Sequence, residues 1–466
     1  MAVQDLRYDS YYDFIWYSDN GPWSVRFTAW YTVGLLKRNQ GDDVVHAKAA
    51  LRNIFDSTLN AHVEIRLACQ YTEQFDSAWY GTFKLSPDGQ FITVMVSQTL
   101  IAAQSLTPPP TRIYIRLRYT LLELTSHREF IGTTLVQAVE EFEHLLGNDL
   151  VSEIETSLTH AAIGSMRRNG TYPEDDNLTL EYSNPAYMRA VMVSWIGHRL
   201  NNSTFTDFAN LQGQLLLDLF TWNDSNTLGE YNAPTYYGMD IWALSAAIKY
   251  APANSSIKAT AEYVLPALWS DIAAHYNPYL KNMVGPYDRA YTRDMTTHSS
   301  ILSLWFWSTY GHAHGPQPPK GEADLLYDIA QGAQIALVAS IAHSHIPPSL
   351  DGWLTSTSFN GAAPRLLRRT IKDDLSTDTV RTATSWVSGP LMIGAESVEG
   401  ETASRGDQFV PAIVHWAADA GHGPAPYVAF FSLYPSAAAV RAVAGEGRLS
   451  VAYPNRAQEG AGGGWV

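Results

Sequence analysis

Two short stretches of the sequence carry the best candidates for side chains that transfer a proton or bind a polar ligand. The first covers residues 229–240, GEYNAPTYYGMD, and the second covers residues 285–298, GPYDRAYTRDMTTH. The candidate catalytic residues are Tyr236, Tyr237, Tyr287, Asp288, Arg289 and His298. The candidate substrate-binding residues are Asn184, Glu230, Asn232, Trp242, Tyr291 and Arg293. We predict that both stretches line one cavity.

These residue types suit acid–base chemistry on an oxygenated substrate. Tyr and His transfer protons, and Arg289 or Arg293 supplies a cation that activates a tyrosine or binds a carboxylate through two parallel hydrogen bonds. The amide of Asn232 can polarise a carbonyl group or hold a hydroxyl group. Glu230 and Asp288 act as acid or base if they are buried.

Each of these residues also has a structural interpretation. Asp288 fits an ion pair with either neighbouring arginine, and His298 fits a histidine buried in the core. Asn184 and Asn232 both lie near a proline that can start a helix, which is typical of helix caps.

Familiar cofactor and metal motifs do not match. Residues 148–155, NDLVSEIE, resemble the start of a terpene-synthase magnesium motif, but Thr156 stands where its last carboxylate belongs. No phosphate-binding loop, dinucleotide-binding glycine pattern or nucleophile elbow occurs, and Cys69 is the only cysteine. We therefore expect a site with no cofactor and no metal.

The elements that must position these side chains are mostly helices. Apolar residues recur at three and four positions from Pro22 onwards. Further helices are predicted at residues 44–59, 113–124, 132–146, 150–166, 185–200, 205–220, 239–250, 257–275 and 297–310. A short β-like piece is predicted at residues 91–96. Alternating short and long connections between paired helices favour an α/α toroid over a plain helical solenoid.

The character of the sequence changes after about residue 346. Short alternating runs predict strands at residues 365–372, 379–387, 391–394, 412–417, 428–433 and 449–452. The predicted fold is therefore mainly α with two domains. An α/α-toroid catalytic domain spans residues 1–346, a smaller antiparallel β-domain spans 347–458, and a flexible tail spans 459–466.

Composition narrows the range of partners. The 466 residues are 46% hydrophobic and 17% charged, and the formal net charge of −15 argues against nucleic acid or an anionic membrane as partner. The 14 Trp and 26 Tyr suit an apolar pocket that also offers hydrogen bonds to a small-molecule substrate. No signal peptide is visible in the first 20 residues, so we expect a cytoplasmic protein, with its oligomeric state left open.

The predicted architecture resembles that of heparinase- and alginate-lyase-type polysaccharide lyases. Its helical half also resembles the terpenoid enzymes typified by linalool dehydratase-isomerase. The segments TAWYTVGLLKRNQGDD, YSNP, EYNAPTYYG and GPYDRAY, between about residues 23 and 310, are similar to a family of bacterial and fungal proteins. None of these resemblances supplies a catalytic motif that matches residue by residue.

Three functions follow as hypotheses. The first is an enzyme that cyclises, isomerises or eliminates within a small, largely apolar metabolite of terpenoid or polyketide type, including pericyclic ring closure such as a Diels–Alder reaction. The second is a uronic-acid-directed carbohydrate lyase or a glycoside hydrolase, for which Glu230 and Asp288 are the candidate paired carboxylates. The third is a non-catalytic carbohydrate- or protein-binding protein.

Overall fold

The fold is described from a computed structural model. It describes residues 5–16, 23–55, 70, 80–83, 127–168, 178–290, 294–296, 299–316, 329–359, 361–397, 409–418, 427–433 and 440–453. The chain divides into two compact units. Unit 1 comprises Met1–Phe220, Gly238–Ala267 and Pro319–Ile346, and unit 2 comprises Thr221–Tyr237, Leu268–Pro318 and Pro347–Val466. The division passes through two helices.

Unit 1 is helical. After a small antiparallel sheet of β1 (Tyr8–Asp9), β2 (Phe14–Trp16) and β3 (Trp23–Ser24), its helices are α1 (Val25–Arg38), α2 (Asp43–Phe55), α3 (His127–Leu146), α4 (Asn148–Arg167), α5 (Ser183–Arg199) and α6 (Ser203–Phe220). They are followed by α7 (Pro234–Tyr250), α8 (Ser256–His275) and, later in the chain, α10 (Gly332–Ser344). The last residues of α8 and the first of α7 belong to unit 2.

The helices of unit 1 differ in how much of their surface is buried. In α5 every residue from Ser183 to Gly197 is buried, and in α1 nearly all residues are. Helices α2, α4 and α6 bury one face, as amphipathic helices at a surface do. The buried helices pack on one another, α1 on α3 and α3 on α5, while α2, α4 and α6 each pack on the helix beside them in sequence. Helix α10 packs on α1.

Unit 2 is built around a five-stranded antiparallel sheet. Its strands are β6 (Arg365–Ile371), β7 (Arg381–Val387), β8 (Leu391–Glu396), β9 (Ala412–Ala417) and β10 (Val428–Leu433), and they pair in chain order. A hairpin of β11 (Arg441–Gly445) and β12 (Arg448–Ala452) packs on β7 and β8. Unit 2 also contains α9 (Ser300–Tyr310), the short helix α11 (Asp351–Leu354), and the paired β4 (Tyr276–Asn277) and β5 (Asn282–Met283).

The strand register gives the sheet two different faces. Ala383 of β7 is opposite Glu396 of β8, so Arg381, two residues earlier, points to the same face as Glu396. The opposite face carries Ile393 and Ala395, which pack with Ala412 of β9 and with Ala442 and Ala444 of the hairpin. One face is therefore apolar, and the other carries buried charged side chains.

The prediction of a mainly helical chain followed by an antiparallel sheet is confirmed. Five of the six predicted strands form this sheet, and the sixth, at residues 449–452, is β12 of the hairpin; the sequence pattern did not indicate β11. The predicted helix at residues 113–124, the β-like piece at residues 91–96 and the tail at 459–466 lie outside the described residues. Unit 1 ends at Ile346, as the predicted domain 1–346 does. Two segments within that range, Thr221–Tyr237 and Leu268–Pro318, belong to unit 2, whereas the prediction assigned them to the first domain. Among the described residues, no helix is both long and apolar enough to cross a membrane.

Candidate functional site

The two chemically rich stretches meet within unit 2. The Asn232 amide donates hydrogen bonds to the carbonyl oxygens of Val284 at 2.6 Å and Pro286 at 2.8 Å. The backbone N–H of Asp288 donates to the Tyr231 carbonyl at 3.2 Å, and the Tyr231 N–H donates to the Asp288 carboxylate at 2.9 Å. Segments more than fifty residues apart in sequence are thus joined by four hydrogen bonds.

The first stretch has a different local structure from the one predicted. Helix α7 begins at Pro234, five residues before the predicted start, so Tyr236, Tyr237 and Gly238 lie inside a helix. Proline suits the first helical turn because its fixed backbone angle and missing N–H are compatible with that position. Just before the helix, Asn232 adopts a left-handed conformation with φ of 45°, and its N–H donates to the Tyr237 hydroxyl at 2.7 Å.

An accessible ionisable group in the described part of the two stretches is formed by Glu230, Tyr236 and Arg289. The Nε of Arg289 lies 2.5 Å from a Glu230 carboxylate oxygen, and its guanidinium carbon lies 5.6 Å from the centre of the Tyr236 ring. The Arg289 side chain is 31% exposed, whereas Glu230 is buried and Tyr236 is half-buried. We call these three residues the Arg289 group. A ligand in solvent can reach the Arg289 cation of this group.

Three other candidate catalytic residues lie deeper in unit 2. Tyr237 and Tyr287 are each 1% exposed, and Asp288 is 4% exposed. The Tyr287 hydroxyl donates to the carbonyl of Met283, and burial raises the pKa of Tyr287 above its usual range. These side chains hold the loops together, and a catalytic role for them stays a prediction.

Arg381 is the centre of a buried ion cluster that the sequence did not indicate. Its two Nη atoms bind the Asp288 carboxylate at 3.0 and 2.7 Å, and it also contacts Glu396 at 2.6 Å and Asp373 at 2.8 Å. It further donates to the Gly229 carbonyl at 2.8 Å. Asp288 therefore binds an arginine 93 residues later in the chain. Arg381 binds both stretches that carry the Arg289 group.

The Arg381 cluster, defined as Arg381, Asp288, Asp373 and Glu396, places three carboxylates around one guanidinium. Burial raises the pKa of Glu396 to about 7; Arg381 opposes this shift, while Asp288 and Asp373 add to it. Burial by itself lowers the pKa of Arg381, but its carboxylate partners outweigh that effect and the pKa lies well above the usual value. Glu396 is fully buried, and one of its carboxylate oxygens has no hydrogen-bond partner in the described part of the chain.

A second polar chain runs along the same unit. The Tyr231 hydroxyl lies 2.7 Å from Nε2 of His275, whose Nδ1 lies 2.8 Å from the Asp271 carbonyl oxygen. Arg369 of β6 binds the Asp271 carboxylate at 2.9 Å. Burial lowers the pKa of His275, which favours a neutral ring that donates from Nδ1 and accepts from the tyrosine. Because Tyr231 and His275 are fully buried, this chain is best explained as structural.

Two candidate substrate-binding residues belong to unit 1. Trp242 is fully buried in α7, and its indole N–H donates to the Gln137 side chain at 3.1 Å. Asn184 is fully buried in the first turn of α5, where it makes no helix cap. Binding of substrate by either residue stays a prediction.

Unit 1 also buries charges that sequence patterns did not single out. Arg128 and Glu129 are both fully buried and form an ion pair at 2.9 Å, and the Ser165 hydroxyl donates to the same carboxylate at 3.0 Å. Asp240 is fully buried, and together with burial it raises the pKa of Tyr187. The only signal of these buried charges in a single sequence is the presence of charged residues within otherwise apolar helices.

Tyr291, Arg293 and His298 lie outside the described residues. Among the residues that are described, no group of three His, Cys, Asp or Glu side chains is arranged to hold a metal ion.

Comparison with known proteins identifies the family. A family model described as a domain of unknown function, DUF8769, matches residues 1–342. The chain belongs to the DUF8769 family. A second model, the domain of unknown function DUF8770, matches residues 365–462, the part that contains the sheet of unit 2. No curated protein and no solved structure matches the chain.

Proposed function

We propose that the protein is an enzyme of the lyase or isomerase class that moves a proton next to a carbonyl or carboxylate group of a small substrate. The supporting observation is the Arg289 group. A phenol and a guanidinium lie close together, an acidic side chain holds the guanidinium, and the cation is 31% exposed. Proton transfer needs an acid or base within reach of the substrate, and the developing negative charge needs a stabilising cation.

In this mechanism each residue of the group has one task. Arg289 binds the substrate oxygen and stabilises the negative charge that develops on it. Tyr236, as phenolate, takes the proton from the adjacent carbon; the electron pair forms a carbon–carbon double bond as a leaving group departs, or the proton returns at another carbon in an isomerisation. Glu230 orients Arg289 through the 2.5 Å contact at Nε.

A uronic-acid-directed carbohydrate lyase is the second candidate. The observation that favours it is the same exposed guanidinium, because the planar fork of arginine matches a carboxylate. The same proton abstraction would then take place at the carbon that bears the uronate carboxylate. A small, largely apolar metabolite remains our first choice because of the aromatic content of the chain.

We also propose that the helices of unit 1 form an α/α toroid. Buried helices α1, α3 and α5 pack on one another in order, and each contacts an amphipathic helix that follows it in sequence. The contact of α10 with α1 supports ring closure, since it joins the last of these helices to the first.

The test compares Tyr236→Phe with the wild type. Proteins are incubated in D₂O with a panel of small ketones and carboxylates and with uronate oligosaccharides, and deuterium uptake and product formation are followed by mass spectrometry. We expect a substrate that exchanges or reacts, and a rate about 10²- to 10⁴-fold lower in the variant. Tyr427→Phe is the matched control because Tyr427 is 77% exposed in unit 2.

Two results would overturn the proposal. One is a Tyr236→Phe variant that reacts as fast as the wild type with a substrate from the panel. The other is an Arg289→Lys variant with unchanged rate, because the mechanism requires the guanidinium at the substrate oxygen. Product that appears with uronate oligosaccharides alone would move the second candidate ahead of the first.

A further inference from the structure

A cavity in unit 1 is lined by none of the residues used in the proposed mechanism. It is formed where the turn between α5 and α6 meets the turn between α7 and α8, and its volume is about 260 Å³. Its lining includes Ser194, Asn201, Ser203, Asn210 and Asn254. We call it the amide pocket. Its volume is just below the range of about 300–1,000 Å³ for pockets that hold drug-sized ligands, which suits a smaller ligand.

The lining of the amide pocket is polar but carries no fixed charge. Among the described residues that line it, every polar side chain apart from His198 is a hydroxyl or a carboxamide, and none is a lysine, arginine, aspartate or glutamate. A phosphate or carboxylate ligand would find no cation there, and an amine would find no carboxylate. Hydroxyls and amides instead both donate and accept hydrogen bonds, as the hydroxyl groups of a neutral ligand require.

Several of these side chains have hydrogen-bonding capacity that the protein does not use. Ser194 is only 2% exposed and makes no hydrogen bond within the described part of the chain, although a helical serine can bond back to the preceding turn. Because Ser194 lines the pocket, its hydroxyl can form a hydrogen bond with a ligand or water there. Asn201 and Asn254 are exposed at the pocket mouth.

Two other asparagines give the pocket a fixed shape. The side-chain oxygen of Asn202 accepts the Phe205 N–H at 3.3 Å, and that of Asn210 accepts the Ser256 N–H at 3.0 Å. Each carboxamide is therefore held in one orientation, and its NH₂ group makes no hydrogen bond among the described residues. A preorganised donor loses little freedom when a ligand binds.

We propose that the amide pocket binds a neutral polyhydroxylated ligand about the size of one sugar residue. This ligand class is supported by the volume of the pocket, by the lack of a fixed charge among its described lining residues, by the unused hydroxyl of Ser194 and by the oriented amides. The proposal is independent of the Arg289 group and holds for a catalytic or a non-catalytic protein.

The test measures binding of methyl glycosides to the full chain by saturation-transfer NMR. Methyl glucoside and methyl galactoside are the neutral probes, and glucuronate and inorganic phosphate are the charged comparisons. We expect binding of at least one neutral probe and weaker or no binding of both charged ones. The double variant Asn201→Gly/Asn254→Ala should bind about three- to tenfold more weakly, as expected for one or two lost hydrogen bonds.

Asn223→Gly is the matched control for the backbone change. Asn201 and Asn223 are both exposed asparagines in a left-handed conformation, with φ of 52° and 49°, and Asn223 does not line the pocket. Ser194→Leu, which places a larger apolar group at the pocket, should abolish binding; if it does not fold, the double variant still decides. Failure of both neutral probes to bind, phosphate binding more tightly than either, or unchanged binding by the double variant would overturn the proposal.

Discussion

Glu396→Gln should change how the stability of the sheet in unit 2 depends on pH. The pKa of Glu396 is raised from 4.5 to about 7 in the folded protein, a difference of 2.5 units or about 3 kcal/mol. A carboxyl group with a raised pKa holds its proton more tightly in the folded state. The resulting stabilisation is fully present below about pH 4.5 and is lost as the pH rises through 7. Glutamine, which does not ionise, removes this dependence.

We therefore expect the difference in free energy of unfolding between variant and wild type to shift by about 2–3 kcal/mol in favour of the variant as the pH rises from 5 to 8. The variant must be compared with the wild type because His415 changes the pH dependence of stability in the opposite direction. Burial lowers the pKa of His415 to about 4. Its stabilisation is present above about pH 6.5 and is lost as the pH falls towards 4. Since His415 is present in both proteins, its contribution cancels in the difference.

Hydrogen exchange measured by mass spectrometry provides a local assay. Peptides from β7 and β8 of both proteins are compared at the same pH, so that the intrinsic exchange rate cancels. A change of 2–3 kcal/mol corresponds to about 30- to 160-fold in the relative exchange rate when local opening limits exchange. Glu446→Gln is the control because Glu446 is an exposed carboxylate in the β11–β12 turn. A difference between Glu396→Gln and wild type that is the same at pH 5 and pH 8 would refute the reasoning.

Three further substitutions test packing, two in unit 2 and one, at Trp242, in unit 1. Asn232→Gly keeps the left-handed backbone but leaves two buried carbonyl oxygens without their donor, so we expect a loss of roughly 2–6 kcal/mol in the free energy of unfolding. Gly394→Ala should destabilise by at least about 1–3 kcal/mol, because its Cβ would lie 1.9 Å from backbone, while Gly352→Ala, with open space, serves as control. Trp242→Phe should lower the melting temperature, since it leaves the Gln137 oxygen without its indole donor. Urea or thermal unfolding monitored by circular dichroism measures all three, and unchanged stability would contradict each expectation.

The sequence predicted the elements well because their signals are local. Alternation of apolar and polar residues located β9 and β10 at their observed bounds. Three- and four-residue periodicity located α5 and α6 to within two residues. The start of α7 was predicted five residues late because Tyr236 and Tyr237 were interpreted as loop residues, although Pro234 is well suited to a first helical turn.

The site was only partly predictable, because its contacts are not local. Asn232 and Tyr287 were selected by residue type, and the two stretches do lie together in unit 2. The bond between Asp288 and Arg381 depends on strand β7, 93 residues away, and no spacing in a single sequence indicates it. Likewise, helical periodicity does not show that Arg128 and Glu129 pair with each other inside unit 1.

The position of Arg381 also bears on how β7 finds its correct partner during folding. If β7 shifted by one residue against β8, Arg381 would move to the opposite face, where Ala442 and Ala444 of the hairpin pack. A guanidinium would then enter an apolar interface, and three carboxylates would lose their shared cation, so the shifted pairing would be several kcal/mol less stable. The ion cluster therefore stabilises the native pairing of β7 with β8 over the shifted pairing. The small apolar side chains of the sheet alone would give the two pairings similar stability.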